Sequence, residues 1–175
     1  MRYRLLLSPW QNEFIDVLAE AETELLISSP YVSVEGIRVL ADSLGGKPHV
    51  SISLVTNLTA QNVVNGVTEP AALLELFHHF RRVSVSSLNR LHAKVYLVDS
   101  RMGVITSANL TGGGLRGNYE YGILIDDSEV ICAIREDILG YFGLGNVLDE
   151  EVLRRIFEES RKLHVFKQKS RDLIA

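Results

Sequence analysis

"LHAKVYLVDSRMGVITSANLT", residues 91–111, is a mostly apolar stretch that carries one histidine, one lysine, a serine and an asparagine. It predicts two strands, "AKVYLVD" and "GVITSA", joined by a tight turn near Ser100 to Gly103. Residues two apart on a strand share a face, so His92 and Lys94 project together while Ala93 and Val95 face the other way. Ser107 and Asn109 repeat that spacing one strand later. If the two strands pair, four polar side chains converge at one sheet edge.

The flanks set this hairpin in an alternation of strands and helices. "Arg4-Leu5-Leu6-Leu7" reads as a first strand. A helix then opens with Ser8 as cap, Pro9 at its first position and Gln11 reaching back, and runs to about Glu22. "ELLISSP" is a buried strand, and "SVEGIRVLADSL" is an amphipathic helix with Ile37, Leu40 and Leu44 on one face, closed by "GG". "HVSISLVT" alternates as a strand, Pro70 opens the helix "AALLELFHHF", and "RVSVS" and "YEYGILID" are further strands. From about Ser128 the pattern is two helices separated by the glycine-rich "GYFGLGN". The expected fold class is α/β, a mixed sheet flanked by helices on both faces, in one domain spanning 1–175. The last helix, from about 149, has no stop signal and is expected to lead into a further C-terminal region.

Composition bounds the function. With 175 residues, 46% hydrophobic and 23% charged, the class is globular, and no apolar run approaches the length of a bilayer span. "MRYRLLLSPW" is too short in apolar length for a signal peptide, so the expected location is the cytoplasm. The single Cys132 excludes an internal disulfide and argues against cysteine-ligated zinc. His78 and His79 are adjacent on a helix and face about 100° apart, an awkward pair for one metal ion. The net charge is −4, yet residues 80–118 hold Arg81, Arg82, Arg90, Lys94, Arg101 and Arg116 against one acid, Asp99. Two readings of that strip stand side by side: a surface that meets phosphate, and ordinary solvated charge. Arg154, Arg155, Arg161, Lys162, Lys167, Lys169 and Arg171 read as a solvated helical face.

The convergent set suits a phosphoryl substrate. Lys94 neutralises charge on non-bridging oxygens, and Ser107 and Asn109 donate hydrogen bonds. His92 attacks phosphorus as neutral imidazole, and Glu120 holds a histidine ring in the useful tautomer. The triple glycine 112–114 lets backbone approach a ligand, and it is not a P-loop because no Gly-Lys-Ser/Thr follows. Arg116, Asn118 and Thr106 are candidate substrate contacts, and Tyr31 lies at a strand end near them. Asp99, seven residues from His92, points to the opposite face and is expected to tie down the turn.

The order His92-x-Lys94, four residues, Asp99, six residues, Thr106-Ser107-x-Asn109 resembles the HKD motif of the phospholipase D superfamily. The usual form has glycine where Thr106 stands. Glu120, eleven residues past Asn109, matches the acidic residue of that superfamily's small nucleases. The resemblance implies a covalent phosphohistidine, a second histidine that protonates the leaving oxygen, and no metal or other cofactor. These 175 residues hold one such motif, since His49, His78, His79 and His164 each lack a lysine two residues on. A complete site therefore calls for a homodimer with the active site at its two-fold interface. The expected function is a metal-independent phosphodiesterase cutting nucleic acid, DNA rather than RNA. It resembles the small dimeric nucleases and the catalytic domains of restriction endonucleases, with no membrane partner. The alternatives are a phospholipase or phosphatidyltransferase, and a catalytically silent dimeric nucleic-acid-binding module.

Overall fold

The computed structural model describes residues 2–174; the side chains of Arg2 and of residues 164–174, including Lys167, Lys169 and Arg171, lie outside the described residues. The strands are β1 (Arg2–Leu7), β2 (Glu24–Ser28), β3 (Ser51–Thr56), β4 (Arg82–Ser87), β5 (Val95–Val98), β6 (Met102–Thr106), β7 (Tyr121–Asp126) and β8 (Asn146–Leu148). They form one mixed sheet in the order β1-β7-β6-β5-β2-β3-β4-β8. The helices are α1 (Gln11–Ala19), α2 (Val34–Ser43), α3 (Ala60–Val64), α4 (Pro70–His79), α5 (Ser128–Leu144) and α6 (Glu150–Ile174). The expected α/β architecture with both sheet faces covered is the one observed.

Strand alternation divides the core in two. Leu25, Ile27, Ile52, Leu54, Val85, Tyr96, Val98 and Val104 face one way, where they meet Phe14 of α1, Ile37 and Leu40 of α2, Leu73 and Leu76 of α4 and Leu153 of α6. Leu26, Val55, Val95, Leu97 and Ile125 face the other way and meet Ile131 and Ile138 of α5. Burying so many large apolar side chains, at about 1.5–3 kcal/mol each, supplies the driving force for this fold.

Strands β2, β3 and β4 run parallel, whereas β5 returns antiparallel to β2. The sheet therefore grows away from β2 in two directions. The segment 88–94, leaving the end of β4 for the start of β5, has to cross the carboxyl ends of β3 and β2. Two bonds pin it there: Leu88 N donates to Thr56 O at 2.8 Å and Ser28 Oγ donates to Ala93 O at 2.9 Å.

Four details of the sequence reading change. Ser8 does not cap α1; its N–H continues the β1–β7 ladder to Glu120 O at 3.2 Å, the Ser8–Pro9 peptide is cis, and the helix begins at Gln11. That helix stops at Ala19 rather than near Glu22, because the Glu22 and Thr23 amides bind the Asp99 carboxylate instead. "GYFGLGN" does not break a helix: α5 runs through Gly140 and Gly143 to Leu144. Tertiary packing of Phe142 outweighs the roughly 1 kcal/mol each glycine costs. His92 and Lys94 precede β5 rather than sit within it. The short α3 and β8 carried no clear pattern in the sequence.

The β5–β6 turn is centred on Asp99 and Ser100, both with positive φ (50° and 53°), closed by Arg101 N donating to Val98 O at 2.9 Å. This is the hairpin turn whose twist suits the flanking strands. The Asp99 carboxylate accepts from the amides of Glu22, Thr23 and Glu24 at 2.7–2.8 Å, and from Thr23 Oγ1. Burial pushes its pKa up, but these donors outweigh that and hold it down at about 2. The folded value lies below the unfolded one, so the stabilisation is present above about pH 4 and is lost as pH falls toward 2. Asp99→Asn should lower stability by about 1–2 kcal/mol at neutral pH. Urea titrations from pH 2 to pH 7 should show that the variant lacks the wild-type loss of stability on the acid side.

Candidate active site

The crossover segment places His92 and Lys94 at the carboxyl ends of β2 and β3, where the strand order reverses. Open α/β sheets bind ligands at such a point, because the diverging connections leave a crevice there. Arg90, in the left-handed region at φ 63°, turns the chain into this crossing.

Lys94 is nearly buried, at 7% exposure, and His92 is exposed. The Lys94 ammonium donates to His92 O at 2.8 Å and lies 3.2 Å from Nδ1 and 3.5 Å from Nε2 of the same ring. The ammonium lies near both ring nitrogens, so which of them accepts depends on the tautomer. Burial pulls the Lys94 pKa down, and the Glu120 carboxylate pulls against it. The lysine is thus a desolvated cation whose best electrostatic partner would be an anion arriving from solvent.

The next strand closes the site from the other side. Thr106 N donates to Lys94 O at 3.1 Å, which extends the β5–β6 ladder to the motif itself. Beyond Thr106 the chain leaves the sheet. Ser107 N still donates to Tyr121 O at 2.9 Å. Its hydroxyl accepts from Tyr121 N at 3.1 Å and makes a short bond to Glu120 Oε2. The Asn109 amide oxygen accepts from Tyr31 N at 3.3 Å, which leaves its NH₂ group as the donor available to a ligand. Behind this turn, the fully buried Tyr96 donates its hydroxyl to Ala108 O at 3.1 Å, and Ser29 Oγ accepts from Leu110 N at 2.9 Å. The chain then makes one π turn, Gly113–Gly117. A β-carbon at Gly114 would overlap the Asn109 carbonyl, so glycine is required for this close approach.

Glu120 is held on several sides. Asn118 Nδ2 donates to Oε1 at 3.0 Å, Ser107 engages Oε2, and the Glu120 amide donates to Ser8 Oγ at 2.6 Å. Its hydrogen bonds within one copy of the chain thus go to Ser107 and Asn118 rather than to a histidine ring. Ser8, Trp10, Glu35 and Tyr96 take part in building the site, and the sequence reading missed them. Trp10 Nε1 donates to Gly114 O at 3.0 Å. A lone serine or tryptophan carries no spacing signal for such contacts across more than 100 residues.

The other candidates are engaged by the protein. Thr106 Oγ1 donates to Tyr121 O and accepts from Ala108 N, both at 3.1 Å, and its bulk is accommodated opposite Gly122. Arg116 is ion-paired with Glu35 at the start of α2. The basic strip read from the sequence is not one surface. Arg82 opens β4 and Arg101 sits in the β5–β6 turn, so both lie at the opposite end of the sheet with Arg81, and Arg101 is paired with Asp99. Only Arg90, Lys94 and Arg116 lie at the site end. Among the described residues no cluster of three His, Cys, Asp or Glu side chains is placed to hold a metal ion.

The histidine and lysine at the crevice thus face a Ser-x-Asn turn and a fixed glutamate, the constellation of the HKD motif. Residues 14–140 match the family described as "Cardiolipin synthase, PLD-like domain", and the chain belongs to it. It is 29% identical over 154 residues to cardiolipin synthase A of Pseudomonas syringae, covering 86% of this chain but 31% of that protein. Its fold is similar to Nuc, a phospholipase D family member from Salmonella typhimurium, with TM-score 0.70 and 15% identity, covering 84% of this chain and 97% of that one. It is also similar to phosphatidylserine synthase from Haemophilus influenzae, with TM-score 0.63 and 15% identity, covering 95% of this chain and 46% of that one. The chain thus spans about a third of the length of the curated relative it matches.

The buried ammonium should cost stability and serve chemistry. Lys94→Met keeps the volume, removes the desolvated charge and should leave the melting temperature unchanged or raised. The same variant should lose about 10²–10³-fold in phosphodiester turnover, measured side by side with thermal unfolding.

Proposed function

We propose that this chain is a metal-independent phosphodiesterase of nucleic acid, DNA in preference to RNA, acting in the cytoplasm as a restriction-type or non-specific endonuclease. Its His92 attacks phosphorus, the bond to the leaving oxygen breaks, and a phosphohistidine forms. The leaving oxygen takes its proton from His92 of a second copy, which later deprotonates the water that releases the phosphate. Lys94, Ser107 and Asn109 stabilise charge on the non-bridging oxygens, and Glu120 fixes the ring tautomer across the shared site. Thr106, Arg116 and Asn118 shape its rim.

The observation that carries this reading is the contact of the Lys94 ammonium with the His92 ring. In the free protein the ammonium lies against the imidazole, within 3.5 Å of both ring nitrogens. An incoming phosphodiester competes for the ammonium with its non-bridging oxygens, which frees the ring lone pair for attack. Substrate binding thus activates the nucleophile that the substrate meets. The rim favours a polymer: Arg90, Arg116 and Asn118 are exposed, and Tyr119 beside Glu120 is fully exposed, a face on which a base can stack.

A second reading, phosphatidyl transfer, is favoured by the sequence similarity to cardiolipin synthase A. An apolar groove of about 390 Å³ between α3 and α6, lined in part by Leu58, Val63, Val152 and Ile156, offers room for an acyl chain. One assay separates the two. The purified protein in excess EDTA should cut single- or double-stranded DNA, and His92→Ala should lower that rate by at least about 10⁴-fold. Turnover of phosphatidylglycerol vesicles with no DNA cleavage would instead establish the second reading, and DNA cleavage undiminished in His92→Ala would refute the assignment of the nucleophile.

A further inference from the structure

Two threonines outside the motif, Thr56 at the end of β3 and Thr68 in the loop before α4, are wholly buried. A hydroxyl taken so far from water needs a partner, and these two share one. Thr56 Oγ1 donates to Pro30 O at 3.1 Å, and Thr68 Oγ1 donates to the same oxygen at 3.2 Å. The Asn57 amide donates to it as well, at 3.2 Å. A carbonyl oxygen has two lone pairs, so three donors are more than its burial requires. The surplus fixes the plane of the Pro30–Tyr31 peptide.

The other side of that peptide faces the active site. In a trans unit the Pro30 carbonyl and the Tyr31 N–H lie in one plane and point in opposite directions. Anchoring the oxygen therefore aims the N–H, which donates to Asn109 Oδ1 at 3.3 Å. The neighbours hold the same geometry. Ser29 Oγ accepts from Leu110 N at 2.9 Å and donates to Tyr31 O at 2.8 Å. Behind them, Glu69 N donates to Val32 O at 2.9 Å, so the loop carrying Thr68 grips the segment after β2 from the far side. Hydroxyl, carbonyl, amide and side-chain oxygen thus form one buried series from Thr68 to Asn109.

We propose that Thr56 and Thr68 are positioning residues for phosphodiester turnover, which act through the Pro30–Tyr31 peptide to present the Asn109 NH₂ group to the substrate. The inference rests on the reading above, in which Asn109 stabilises charge on the non-bridging oxygens. The two ends of an asparagine amide are alike in shape and opposite in effect: the oxygen repels a phosphate and the NH₂ group binds it. An N–H aimed at Oδ1 selects the orientation with NH₂ outward. Each bond in the series also polarises the next, by about 10–30%. A donor so held contributes most where charge develops at phosphorus, so its loss falls on kcat rather than on KM.

Turnover of bis(p-nitrophenyl) phosphate by the full chain provides the test, in wild type, Thr68→Val, Thr68→Ser, Asn109→Ala and the double variant Thr68→Val/Asn109→Ala. Thr68→Val leaves Pro30 O with Thr56 and Asn57, and leaves Asn57 O with Asn62 Nδ2 at 3.0 Å, so no buried acceptor is orphaned and the fold should hold. Its kcat should fall about 10-fold with KM little changed, a part of the about 10²–10³-fold loss expected of Asn109→Ala. Thr68→Ser keeps the hydroxyl and should restore turnover. In the Asn109→Ala background, Thr68→Val should cost nothing further. The Tyr31 amide proton should move upfield in the NMR spectrum of Thr68→Val. Should that variant not fold, Thr56→Val carries the same comparison. An equal loss from Thr68→Val with and without Asn109 overturns the proposal, as does an unchanged kcat beside an impaired Asn109→Ala. Wild-type turnover by Asn109→Ala instead overturns the role of Asn109 in the reading above, and the proposal with it.

Discussion

The structure depends on one topological constraint. Strand β2 has a parallel neighbour on one side and an antiparallel neighbour on the other, so the chain leaving β4 must pass over the carboxyl ends of β3 and β2 to begin β5. Backbone on such a path cannot pair in the sheet, and its polar groups need other partners. Thr56 O, Ser28 Oγ and the amide of Thr106 provide them. The segment that meets this constraint is the one that carries His92 and Lys94. The motif's side chains are thus set on an irregular stretch, but one anchored by buried strands.

The same anchoring explains how a lysine tolerates burial. Its ammonium has a backbone carbonyl, an imidazole and the field of Glu120, and among the described residues no carboxylate in direct contact. A fully paired lysine would have little to offer a phosphate. One held by weaker, neutral partners in a dry setting gains much from an anion, and that difference is what electrostatic catalysis uses. The glutamate side of the site is built oppositely: Ser107 and Asn118 each hold one carboxylate oxygen and the Ser8 hydroxyl accepts from the Glu120 amide, so its position is fixed while lone pairs remain for a further donor.

Much of this was legible in the sequence because it rests on local periodicity. The strands "ELLIS", "SISLVT" and "YGILID", and the α2 and α4 helices, follow from alternation, an amphipathic face and a proline start. The motif spacing was legible because it is contained within 30 residues. What escaped was non-local. Ser8 reads as a cap until the β1–β7 register claims it for Glu120, and the glycines of α5 read as a break until Phe142 packs across them. The charge strip misled for a similar reason: Arg82, Arg90 and Arg101 are close in the chain, but each strand crossed carries the next one to the other end of the sheet. Linear clustering of charge says little about a surface when strands intervene, so the nucleic-acid reading rests on the rim at Arg90, Arg116 and Tyr119.

The central claim is that one exposed imidazole, released by substrate from a buried ammonium, becomes covalently bound to phosphorus. Mass spectrometry of the protein quenched at alkaline pH during turnover of an activated phosphodiester in EDTA tests it most directly. The account predicts an acid-labile phosphoryl adduct on His92, absent in Lys94→Met under the same exposure. Steady turnover with no adduct, or an adduct on a different side chain, would contradict it.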